Sequence, residues 1–170
     1  LSALFLTALF GANAHANNTI TFLGEVSDQT CEVAINGATA NPTVLLPTVS
    51  TADLAVAGSV AGETPFTLSV SGCTINATQA LPIKTVFVGN SVTVAGNLGN
   101  TGTATNVSLQ ILDAVGGNAV DLTGVATVDG LNVAAGDSTA SHDFAVQYYA
   151  EGAATAGTVV SSVQYAISYL

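Results

Sequence analysis

The sequence predicts an all-β protein, and three observations support that prediction. Short runs rich in Val, Ile, Thr, Phe and Tyr recur along the chain, and Gly, Asn and Asp residues typical of turns separate them. No amphipathic helix longer than about ten residues is convincing. Both ends of the chain beyond its first residues alternate apolar and polar positions, as half-buried strands do. With 170 residues, one β-sandwich domain is the expected architecture.

The strands are expected where apolar or alternating runs stand between turn residues. In chain order they are Thr19–Val26, Cys31–Ile35, Thr43–Leu46, Phe66–Cys73, Ile83–Val88, Val107–Asp113, Val125–Val128, Ser141–Ala150 and Val159–Tyr169. Ala52–Gly62 is rich in alanine and predicts a short helical turn, whereas Asn97–Thr105 predicts a loop. Asp129-Gly130 is typical of a hairpin turn.

Charge excludes two classes of partner. The chain has eleven Asp and Glu residues, a single basic residue, Lys84, and a net charge of −10. One cation cannot neutralise a run of phosphates, so we expect no nucleic-acid partner. The same count excludes a polybasic membrane patch. The 49% hydrophobic content is too high for a disordered acidic chain.

The first residues predict an export signal. Residues 1–16 combine an apolar run, Leu1 to Phe10, with small residues around Ala14-His15-Ala16. The run is shorter than the roughly 20 residues of a membrane span. We expect the signal to begin upstream of Leu1, cleavage after Ala16, and a mature chain that starts at Asn17 and does not insert into a membrane.

Export gives the two cysteines, Cys31 and Cys73, a meaning. An oxidising compartment favours a disulfide between them. Closing a loop of about 43 residues would stabilise the fold by about 4 kcal/mol. A reactive thiol and a metal site are weaker alternatives, because there is no CxxC motif and only His142 remains after cleavage.

Catalysis and metal binding find little support in the sequence. Ser141-His142-Asp143 contains the residue types of a hydrolase triad, but neighbours in a strand point to opposite faces. The acidic residues are scattered, without a calcium-loop pattern. We therefore expect no catalytic residue, no cofactor and no metal.

The two alternating ends carry the most information. One row, near the mature N-terminus, is Ile20, Phe22, Gly24 and Val26. The other, at the C-terminus, is Val163, Tyr165, Ile167 and Tyr169. A terminal strand leaves an edge exposed unless it is paired. Pairing of the first and last strands within one molecule would give a self-complete sandwich, and this alternative stays open.

Three segments resemble one protein family. They are TITFLGEVSDQTCEV at residues 19–33, ATNVSLQILD at residues 104–113, and the C-terminal region at residues 144–170. Gly157 is the fourteenth residue counted back from the C-terminus and Tyr169 is penultimate, both as in that family. The chain resembles the chaperone–usher fimbrial (pilin) subunits, and most of all the major shaft subunit of type 1 pili.

The resemblance implies an incomplete immunoglobulin-like β-sandwich that a strand from another subunit completes. Residues 17–29 would form a donor-strand extension and residues 30–170 the pilin domain. The row of Ile20, Phe22, Gly24 and Val26 would enter a neighbour's groove. The groove and the docking strand of a chaperone would consist of Gly157, Val163, Tyr165, Ile167 and Tyr169.

The implied function is that of a structural subunit of a surface fibre used in adhesion. Its partners would be copies of itself, a periplasmic pilus chaperone and an outer-membrane usher, and its route would lead through the periplasm to the cell surface. A minor or adaptor subunit of such a fibre and a self-complete secreted binding module are the alternatives.

Overall fold

The computed structural model describes residues 20–170, and the regular elements in that range are all strands. The strands are β1 (Glu32–Ile35), β2 (Val60–Ser71), β3 (Leu81–Gly89), β4 (Leu98–Gly99), β5 (Val107–Leu112), β6 (Ala126–Val133), β7 (Ala140–Ala150) and β8 (Val163–Ser168). The prediction of an all-β protein is confirmed. The predicted export signal, residues 1–16, and the predicted cleavage site lie outside the described residues.

The strands form two antiparallel sheets. One has five strands in the order β1-β2-β7-β5-β4, and the other has three in the order β6-β3-β8. Strand β8 therefore stands at an edge of the smaller sheet, although it is the last strand of the chain. Residues 20–170 contain no helix that is long and apolar enough to cross a membrane.

The core lies between the sheets and is built from alternate residues of their facing sides. In β2, Phe66, Leu68 and Val70 are buried and their neighbours are not, as the two-residue period of a strand requires. The Phe144 ring of the larger sheet stacks on Phe66, with ring centroids 5.6 Å apart. It also meets Phe87 of the smaller sheet edge-on at 5.2 Å, so aromatic contact joins the two layers.

Three of the predicted strands illustrate that alternation identifies faces but not partners. The described part of Thr19–Val26 pairs with no strand, and Thr43–Leu46 is also unpaired. Val44 and Leu46 nevertheless pack on the core while Leu45 is exposed, so the alternation itself is real. The last strand begins at Val163 instead of Val159, because the residues before it bond to the loop around residue 101.

Asp129-Gly130 does not form the predicted hairpin turn. The two residues lie inside β6, opposite Lys84 alone, where the register with β3 shifts between Ile83 and Thr85. This arrangement is a β-bulge, and the positive φ of 124° at Gly130 is one that glycine adopts without strain. The predicted loop Asn97–Thr105 contains the short strand β4. Ala52–Gly62 is turn and bend rather than helix, and β2 begins within it.

Candidate functional site

Strand β8 has one paired edge and one open edge. Its residues Val163–Ser168 pair with Gly89–Lys84 of β3, and no strand of the described chain pairs with the other side. An edge of this kind presents unpaired backbone N–H and C=O groups to any extended segment that reaches it. A self-complete sandwich would require the first and last apolar rows to pair with each other within one molecule. They do not pair.

A groove of about 660 Å³, lined mainly by apolar residues, opens beside this edge. Residues of the larger sheet line its floor, and the stretch around residues 41–46 and the start of β8 line its walls. The lining residues are Ile35, Asn41, Pro42, Val44, Leu46, Phe66, Phe87, Asn90, Leu98, Leu109, Ile111, Val146 and residues 161–165. Neither residues 43–46 nor the open edge of β8 pairs with another strand of the described chain.

The predicted groove residues divide into two groups. Val163 and Tyr165 line the groove. Ile167 and Tyr169 are half-buried and pack on the core, but they lie beyond the groove lining. The Tyr169 hydroxyl instead accepts a hydrogen bond of 3.0 Å from the backbone N–H of Cys31, which ties the C-terminus to the start of β1.

Gly157 does not line the groove, although it lies where backbone segments approach closely. A Cβ at this position would collide with the backbone N of Ala104 and lie 2.7 Å from Thr103 Oγ1. Beside it, the N–H of Ala104 donates to the Thr158 carbonyl at 3.0 Å, and that of Thr101 to the Val160 carbonyl at 2.8 Å. Glycine thus allows the loop before β8 to form hydrogen bonds with residues 101–104, which fix the position where the open edge begins.

The predicted N-terminal row stands clear of the domain. Phe22 is 88% exposed and Val26 is 100% exposed, and Ile20 is also exposed. A Cβ added at Gly24 would have no atom within 4 Å. Because these apolar side chains are exposed in the isolated chain, burying them elsewhere would contribute their full hydrophobic free energy.

The predicted disulfide is confirmed. Cys31 and Cys73 are bonded, across a sequence separation of 42 residues. Cys31 directly precedes β1, and Cys73 follows the end of β2, the strand with which β1 pairs. The bond therefore marks the point where the exposed N-terminal segment joins the packed domain.

A second cavity contains His142, one of the three residues that suggested a hydrolase triad. It measures about 620 Å³ and is lined in part by Asp113, Asp121, Asp129 and His142. His142 Nε2 lies 2.7 Å from the carbonyl oxygen of Asp113, and Asp143 accepts a hydrogen bond from Thr67. Hydrogen bonds from the Thr123 backbone and side chain lower the pKa of Asp121. His142 and Asp143 thus have separate partners, and no triad forms.

Comparison with known proteins agrees with this architecture. The fimbrial protein family model matches residues 20–169. The F17 fimbrial protein of Escherichia coli is 44% identical over 156 residues, covering 88% of this chain and 86% of the relative. The type-1 fimbrial protein A chain of Escherichia coli (strain K12) is 30% identical over 180 residues, covering 99% and 94% of the two chains.

The solved structures show the same fold. The P pilus rod subunit PapA superposes with a TM-score of 0.61 at 16% identity, over 82% of this chain and 99% of that one. The structure is thus an incomplete immunoglobulin-like sandwich of the pilin type. The chain belongs to the fimbrial protein family. It is a structural subunit of a surface fibre and is exported to the surface through the periplasm. Its family is not enzymatic.

Proposed function

We propose that this subunit polymerises by donor-strand exchange, in which residues 17–29 of one copy complete the sandwich of the next. One observation carries the proposal. The same chain has an open strand edge beside an apolar groove and, elsewhere, an exposed apolar row that pairs with nothing. Insertion of the row into a neighbour's groove would pair the open edge and bury the exposed row. Strand addition of this kind is established between chaperones and pilins.

The energetics favour such an insertion. Burying Ile20, Phe22 and Val26 contributes roughly 1.5–3 kcal/mol each, or about 5–8 kcal/mol together. Backbone hydrogen bonds to β8, and to residues 43–46 on the opposite wall, would set the register and remove an edge prone to aggregation. Gly24 interrupts the row and suits a place where the groove is shallow.

The proposal also assigns the domain boundary and the partners. Residues 30–170 form the acceptor domain, because the disulfide at Cys31 is the first strong attachment of the chain to it. A periplasmic chaperone would cover the groove before assembly, docking along β8 and the residue after it, at Val163, Tyr165, Ile167 and Tyr169. Gly157 would support this strand from its fastened loop. An outer-membrane usher would then exchange the chaperone for the next subunit.

We further propose that the fibre is a shaft built from copies of this chain. The chain carries both halves of the joint, a groove and an exposed donor row, so each copy can serve as both donor and acceptor. A minor or adaptor subunit would need to join different neighbours. Assembly of long fibres from this chain alone would support the shaft role, and failure to assemble them would favour the minor or adaptor role.

Deleting residues 17–27 tests the exchange. The deleted subunit should fold and accept a synthetic peptide of residues 17–29 into its groove, but it should form no multimers resistant to unheated SDS. The full mature chain should give a ladder of such multimers that collapses on boiling. Normal fibres from the deleted subunit would contradict the proposal, as would failure of the deleted subunit to bind the peptide.

A further inference from the structure

One residue of the N-terminal segment does contact its own domain. The Glu25 carboxylate accepts a hydrogen bond of 2.7 Å from Ser168 Oγ and another of 3.0 Å from the backbone N–H of Tyr169. These contacts bridge 143 and 144 residues of sequence and lie at the C-terminal end of β8. We call Glu25, Ser168 and Tyr169 together the Glu25 latch.

The receiving end of the latch offers one hydroxyl and one backbone N–H to the carboxylate. Ser168 pairs in register with Lys84, and side chains of a cross-strand pair share a face of the sheet. Lys84 is the one basic residue among the 170 of this chain, so its only lysine or arginine charge stands beside the serine that binds Glu25. The hydrogen bond from Cys31 to the Tyr169 hydroxyl holds the adjoining position in place.

The closed latch and the donated strand exclude each other. Glu25 lies between Gly24 and Val26, and neighbouring residues of a strand are only about 3.3 Å apart. When Gly24 and Val26 both lie in a neighbour's groove, Glu25 must leave Ser168 and Tyr169 of its own subunit. In an extended segment Glu25 also points away from the face of the row, so its loss does not alter the inserted side chains.

We propose that the Glu25 latch is an autoinhibitory contact, which keeps the base of the donor segment on its own subunit and must open before the segment is given to another copy. This inference rests on the proposed donor-strand exchange. The latch slows premature polymerisation of free subunits, and its opening becomes part of the barrier to each addition.

Two variants weaken the latch from opposite sides. Glu25→Gln removes the charge from the donor segment, and Ser168→Ala removes a hydrogen-bond donor while leaving that segment unchanged. Glu32→Gln is the matched control, because Glu32 is an exposed carboxylate in β1 outside the latch. Two measurements are made on the purified mature chain: hydrogen exchange of the Tyr169 amide in the monomer, and the initial rate at which SDS-resistant multimers form.

Both latch variants should raise the Tyr169 exchange rate and the polymerisation rate by about threefold to tenfold, since exposed hydrogen bonds to a carboxylate contribute modestly. Glu32→Gln should change neither rate. Unchanged exchange in both variants would overturn the latch, and so would faster exchange without faster polymerisation. If even the wild-type chain forms no multimers, the donor-strand proposal fails, and the inhibitory role fails with it, whatever the exchange rates show.

Discussion

Two segments of this molecule share one pattern and have opposite environments. Residues 20–26 and 163–169 each carry a row of mainly apolar side chains at alternate positions. The second row is half-buried and packs on the core, whereas the first is exposed and unpaired. The difference shows that an alternating pattern predicts a strand without specifying whether that strand has a partner in its own chain.

The largest expected effect separates assembly from folding within the first row. Phe22→Asp should abolish SDS-resistant multimers, because a charge buried in a neighbour's apolar groove is strongly unfavourable. The free subunit should unfold at an unchanged temperature, since Phe22 is exposed. Leu23→Asp is the control, because Leu23 is similarly exposed but lies on the other side of the strand. Equal loss of multimers in both variants would contradict the assignment of the row.

The disulfide marks the boundary between the two environments, and its removal should act on the domain alone. The double substitution of Cys31 and Cys73 by serine should lower the free energy of unfolding by about 4 kcal/mol, the value expected for a loop of this length. Denaturant unfolding of the free subunit, reduced and unreduced, measures the effect. A wild-type subunit that loses no stability on reduction would show that the bond does not hold β1 and β2 in place.

Two isoleucines compare the rows directly. Ile167→Ala should destabilise the free subunit by about 1–3 kcal/mol, because the side chain is half-buried against the core. Ile20→Ala should change that free energy by less than about 0.5 kcal/mol, as expected for an exposed position. In the polymer the difference between the destabilisations caused by the two variants should be smaller, because Ile20 is then buried too. Equal effects in the monomer would mean that residues 20–26 are packed on their own domain.

Gly24 tests how closely the first row fits its groove. Gly24→Val should leave the free subunit unchanged, because the space around a Cβ there is open. Polymerisation should slow by about tenfold or more, since overpacking a close fit costs about 1–3 kcal/mol. Thr21→Val, on the opposite side of the segment, is the control, and multimer formation followed over time is the measurement. An unchanged rate for Gly24→Val would remove its assigned role.

The smallest effect concerns the packing beneath the second row. Thr85 lies opposite Ile167, is 1% exposed, and its hydroxyl has no hydrogen-bond partner among residues 20–170. Thr85→Val keeps nearly the same shape without that hydroxyl and should stabilise the subunit by about 1 kcal/mol. Thermal unfolding measures the gain. A loss of stability instead would show that the hydroxyl is satisfied in solution.

Local pattern was enough to predict much of the fold. Strong alternation located β8, and the pair of cysteines in an exported chain led to the observed disulfide. Asp129-Gly130 was misinterpreted because the same dipeptide suits a hairpin turn and a bulge, and only the register with β3 decides between them. Pairing is a property of two segments, which one segment's pattern does not contain.

Less of the candidate site than of the fold could be predicted from the sequence. Val44 and Leu46 alternate as a strand does, yet nothing in that alternation says that they form a groove wall without a partner. The contact between Glu25 and Ser168 joins residues 143 apart through polar groups that no apolar period reveals. Long-range contacts of this kind depend on how both ends of the chain are placed, which the fold alone determines.

The open edge of β8 has a consequence for the fibre as a whole. Under the proposed exchange, a subunit with one groove and one donor segment would join its neighbours head to tail, and such contacts propagate as a filament unless they close into a ring. Every filament would then have two chemically different tips, one with an unfilled groove and one with an unused apolar segment. The filament would therefore have a direction, and the two tips would differ in what they can bind.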